Sequence, residues 1–70
     1  MSEKESKRAA FLSAFDRMLD SMLEFASAMQ NLGHDDWFNV ADGYPFAKDF
    51  ANIILDMIDW EDKVSENFAS

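Results

Sequence analysis

The chain has 70 residues, enough for one domain and for burying only about 60% of its unfolded surface. Fourteen acids against six bases give a net charge of −8, which disfavours direct binding to nucleic acid or an anionic membrane, because phosphate contacts need clustered Lys and Arg. There is no cysteine, so disulfides and thiolate metal sites are excluded, while 49% hydrophobic residues call either for an unusually dense core or for a second copy or another protein to cover what remains.

The first ten residues, MSEKESKRAA, are charged and lead into no uninterrupted apolar run. They do not read as a secretory signal, and no stretch approaches the roughly 20 apolar residues that span a membrane, so a cytoplasmic location is expected. The charge is uneven. Residues 1–17 carry four bases against three acids, and residues 18–70 carry two bases against eleven acids. A basic partner protein would be attracted to the second part.

From about residue 3 to 31 the pattern is helical. Phe11, Phe15, Met18, Met22, Phe25 and Met29 recur at steps of three and four, flanked by Leu12, Leu19, Leu23 and Ala26. Ser2 followed by Glu5 is a capping box, and Gly33 marks a stop just past the end. Asp35 or Asp36 then caps a short helix over 35–42 that carries Trp37, Phe38 and Ala41 and ends at Gly43. A second long helix is predicted over 45–68, with Pro45 at its first position and Tyr44 pushed towards an extended conformation. Phe46, Phe50, Ile53, Ile54, Met57, Ile58, Val64 and Phe68 hold its stripe, with Trp60 near the edge. Leu55 lies outside the stripe and hints at a second contact surface.

These elements predict a single all-α domain, an antiparallel helical hairpin of two long helices with a short connecting helix. Two rods of about 40 Å cannot bury both broad stripes against each other, so pairing as a homodimeric four-helix-type bundle is expected. In the corner, GHDDWFNVADGYPF, residues 33–46, two readings stand. Trp37, Phe38, Tyr44 and Phe46 plug the closed end of the hairpin, or they form an exposed aromatic patch ringed by acid.

The corner fails as a calcium loop. With Gly43 at position 6 of an EF-hand, positions 1 and 3 fall on Phe38 and Val40. His34 has no Glu three residues before it, as a di-metal bundle site requires. With one histidine and scattered serines, no nucleophile–base pair can be assembled from spacing. No catalytic, cofactor-binding or metal-binding residues are assigned.

The acidic surface remains. Asp16, Asp20 and Glu24 are spaced by four along the first helix, and Asp49, Asp56, Asp59, Asp62 and Glu66 occupy the polar side of the second. Like charges at i, i+4 cost about 0.2–0.5 kcal/mol per pair, so the rows work slightly against helix formation. They read either as solvated faces that keep a Phe-rich chain from aggregating, or as an imitation of a nucleic-acid backbone. The imitation is loose, since helical rows repeat at about 6 Å and phosphates at about 3.4 Å. At the open end of the hairpin, Arg8 and Glu61 both fall on the apolar side of their helices, which leaves two ways for them to meet, within one hairpin or across a dimer.

Size, acidity and the lack of catalytic residues resemble the small inhibitors encoded by phages and mobile elements, including anti-CRISPR and antirestriction proteins. That resemblance is one of general character and transfers no functional positions. The expected function is a non-enzymatic binding protein that inhibits or modulates a basic, nucleic-acid-binding partner. Asp16, Asp20, Glu24, Asp49, Asp56 and Asp59 would supply the charge, and Trp37, Phe38 and Tyr44 the anchors. The alternatives are a structural or adaptor subunit that completes a helical assembly through its apolar faces, and a bundle lined by Met and Phe that holds an apolar ligand.

Overall fold

The computed structural model describes residues 2–69, which form three helices and no strand: α1 (Glu3–Gln30), α2 (His34–Asp42) and α3 (Phe50–Ala69). Ser2 caps α1 from an extended backbone, its Oγ accepting the Glu5 N–H at 3.1 Å. Glu3 and Glu5 lie in the first turn, where the positive end of the helix favours them. At the far end, the Asn31 N–H turns back onto the carbonyls of Ser27 and Ala28 at 3.2 and 3.3 Å. That right-handed turn closes α1 without a left-handed residue, so Gly33 is not its stop. Gly33 stands instead directly before α2, with φ −65° and ψ 162°, and its carbonyl accepts the Trp37 N–H at 2.9 Å.

The second long helix starts later than Pro45. Residues 43–49 have no regular structure, and α3 begins at Phe50. The Tyr44 N–H bonds the Ala41 carbonyl at 3.1 Å, and the Tyr44 hydroxyl donates to the Lys48 carbonyl. The Lys48 ammonium in turn reaches Asp56 at 2.6 Å. These contacts fold 44–48 into a turn of its own, which occupies a carbonyl that a helix starting at Pro45 would have used. Asp49, a residue type favoured just before a helix, then opens α3.

α1 and α3 pack antiparallel. The rings meet edge to face in reversed order, Phe25 with Phe50 at 5.4 Å, Phe15 with Trp60 at 5.2 Å and Phe11 with Phe68 at 6.3 Å. Such pairs contribute about 0.5–1.5 kcal/mol each beyond area burial. Arg8 closes the open end. Its guanidinium donates to the Phe68 carbonyl at 3.0 Å and lies 4.9 Å from the Phe68 ring centroid. It thereby satisfies a last-turn carbonyl and places positive charge at the negative end of α3.

The core is thin. Among the described residues only Phe15, Leu19 and Ile54 are buried, at 5%, 8% and 4% exposure. α2 buries no residue. The molecule measures 52 × 19 × 16 Å with a radius of gyration of 15.9 Å, against about 11 Å for a compact chain of this length.

Candidate functional site

On α1, Asp16, Asp20 and Glu24 are all exposed. Arg17, in the middle of the row, reaches towards Ser13 Oγ at 3.5 Å and forms no ion pair with the acids beside it. On α3, Asp56 is tied to Lys48, an exposed pair that removes one carboxylate from the row. Among the described residues, Asp20, Glu24 and Asp59 have no ion-pair partner. At about 100° per residue, Asp20 and Glu24 point away from the α1 side that buries Phe15, and Asp56 and Asp59 point away from Ile54. The hairpin thus sets the two rows on opposite long edges and does not join them into one surface.

Asp16 sits at the inner margin of its row, opposite Glu61 of α3. Glu61 is half-buried, and its Oε2 is closed off from solvent with no N–H or hydroxyl donor reaching it. A hydrogen bond with Asp16, loss of hydration, and the negative charges of Asp16 and Asp62 together push the Glu61 carboxyl up to about 7. Two facing carboxyls can share a hydrogen bond only while one holds a proton. Within the hairpin Arg8 and Glu61 do not meet, because Arg8 is drawn to the carbonyl and ring of Phe68. The only sequence signal for the Asp16–Glu61 contact was the presence of Glu61 on an apolar stripe.

The corner aromatics do not plug the hairpin. Trp37, Phe38 and Phe46 are 43%, 59% and 57% exposed, and Tyr44 is half-buried. The 44–48 turn carries the chain out before α3 begins, so α2 is held off the end of the hairpin rather than pressed onto it. What forms is an open cavity of about 440 Å³ lined by Met29, Trp37, Val40, Tyr44, Phe46 and Phe50, with Lys48 and Asp49 among its polar neighbours. Phe46 and Tyr44 meet edge to face at 5.4 Å. The Tyr44 hydroxyl is held above the usual phenol range by loss of hydration first and by the charge of Asp49 second. Phe38 lies outside the cavity, edge-on to His34 at 4.8 Å. Of the nine residues singled out from the sequence, Trp37, Tyr44 and Asp49 share this one site.

Among the described residues, no group of three or more His, Asp or Glu side chains is placed to hold a metal ion. No helix among them is long and apolar enough to cross a membrane. Comparison with known protein families, with curated proteins and with solved structures finds no match.

Proposed function

We propose that the protein is a non-enzymatic, acidic helical binding protein that captures a basic partner, foremost a nucleic-acid-binding protein, and inhibits or modulates it. The observation that carries this reading is the unneutralised acid. Asp20, Glu24 and Asp59 stand exposed along the two edges without an ion-pair partner, even though Arg17 and Lys63 lie one helical turn from Asp20 and Asp59, and like charges at this spacing work against the helices. Each edge presents carboxylates to a partner, and the open corner offers aromatic anchors beside Asp49. An anti-defence role of the anti-CRISPR kind, exerted in the host cytoplasm by loose nucleic-acid mimicry, fits an acidic rod 52 Å long. In this reading the protein works as a homodimer of the four-helix-bundle type.

Electrostatic capture weakens with salt, because exposed charges are screened within about 10 Å at 0.1 M. A pull-down at 0.1 and 0.5 M NaCl, read by mass spectrometry, is expected to retain basic nucleic-acid-binding proteins at the lower salt and lose them at the higher. Capture that survives 0.5 M NaCl unchanged rules the mechanism out.

A second reading, an adaptor subunit that uses its apolar faces, draws on the exposure of Phe11, Leu55, Ile58 and Trp60. It predicts that substitution of Met22, Leu55 or Ile58 abolishes partner binding while charge reversal at Asp20, Glu24 and Asp59 together leaves it intact. The capture reading predicts the reverse.

A further inference from the structure

The two broad sides of the hairpin differ. On one, α1 presents Phe11, Ala14 and Met18, and α3 presents Met57 and Trp60. These five, with the edge of Phe15, line a shallow groove of about 260 Å³ that includes no charged residue. Phe11 and Trp60 are 45% and 53% exposed there. Phe25 continues the same α1 face towards the corner, at about the same rotation as Met18. On α1, Asp16, Asp20 and Glu24 are rotated about 120–160° away from Met18. The Asp16–Glu61 pair, flanked by Asp62, belongs to the other broad side, where Leu55 and Ile58 also lie.

We infer that this groove is the seam of a two-fold dimer, in which the Phe11, Ala14, Met18 and Trp60 face of one copy packs against the same face of a second copy. Area points to a second copy. An 8.0 kDa chain folded compactly exposes about 4,450 Å². This one exposes 5597 Å². The difference, roughly 1,100 Å², exceeds the about 800 Å² per partner that a standard stable interface buries. Charge points the same way. Two chains of −8 repel, so they can meet only where carboxylates are absent, and a basic partner finds no counter-charge on this face. An isologous contact repeats every favourable packing twice. Ala14, small and exposed at the centre of the α1 side, lets the two α1 backbones approach closely while the Phe11 and Trp60 rings fill the partner's groove. The acidic edges then lie outside on both copies. The inference rests on the dimer reading above and adds its face and symmetry.

Sedimentation equilibrium of the full chain over a concentration series tests it. The wild type is expected to run at twice 8.0 kDa. Ala14→Glu, which places an unpaired carboxylate in the seam, is expected to raise the dissociation constant by roughly a hundredfold or more. Leu55→Glu, on the other broad side, is expected to leave the dimer intact. A wild type that stays monomeric overturns both the dimer and its seam. A dimer that survives Ala14→Glu and separates with Leu55→Glu overturns the seam alone. If Ala14→Glu loses its helical circular dichroism, a Trp37→Phe chain decides, since Trp60 is then its sole tryptophan. Acrylamide quenching of Trp60 is expected to fall as dilute monomer is concentrated into dimer, and quenching that does not change with association places Trp60 outside the contact.

Discussion

A carboxyl group with one oxygen shut away from water and a second carboxyl opposite keeps its proton to higher pH than it does in the unfolded chain. Glu61 is in that position, with Asp16 facing it from α1 and Asp62 beside it on α3. Its value rises from 4.5 to about 7, so the folded chain binds more protons than the unfolded chain between those limits. The stabilisation is fully present below pH 4.5 and is lost as pH rises through about 7. The melting temperature is therefore expected to fall between pH 5 and pH 8. Glu61→Gln, which imitates the protonated acid, is expected to flatten that fall and to melt higher than the wild type at pH 8. Identical pH profiles for the two proteins would show that the pair does not share a proton. Lys48 presents the contrasting case. Its ion pair with Asp56 is exposed on both sides, so Lys48→Ala is expected to cost less than about 1 kcal/mol in a urea titration.

Among the elements, α3 rests on a single buried side chain, against two on α1. Ile54 is its one buried side chain, and Ile54→Ala is expected to cost about 2–5 kcal/mol. A chain of this length has only about 3.5–10 kcal/mol in total, so urea denaturation should show most of the helical signal lost at low denaturant. α2 lacks any side-chain cap. Gly33 has a negative φ, and a Cβ built there meets nothing within 4 Å. Gly33→Ser supplies the missing acceptor and restricts the unfolded chain, and is expected to stabilise by about 0.5–1 kcal/mol. The start of α1 was legible because its cap and its period are local features within a few residues. Most of the α3 stripe was legible for the same reason: Phe50, Ile53, Ile54, Met57, Val64 and Phe68 are buried or half-buried, while Ile58 of the same stripe is exposed. Its beginning was not. Proline suits both a first helical position and a turn, and what decides between them is the bond from the Tyr44 hydroxyl to the Lys48 carbonyl. Phe46 consequently falls outside the helix and into solvent. The aromatic cavity and the Asp16–Glu61 contact depend on how separate elements are rotated against one another, which spacing along one helix does not encode.

At the scale of the whole molecule, the acidic rows occupy opposite edges of a rod 19 × 16 Å across, so a flat basic surface meets one row at a time. After reversal of the α1 row by Asp20→Lys with Glu24→Lys, or of the α3 row by Asp59→Lys, the intact edge is therefore expected to keep most of the binding. The two reversals together should cost more free energy than the sum of the single losses when titrated by calorimetry against the captured partner. Losses that simply add would mean that both edges contact the partner at once. The sparse attachment of α2 has a different consequence. With no side chain buried, and its backbone tied to the rest through short turns, it can unfold and refold while α1 and α3 stay joined. Amide protons of residues 34–42 should accordingly exchange with deuterium far sooner than those around Phe15 and Ile54. A protease offered the native chain should make its first cut in that same segment.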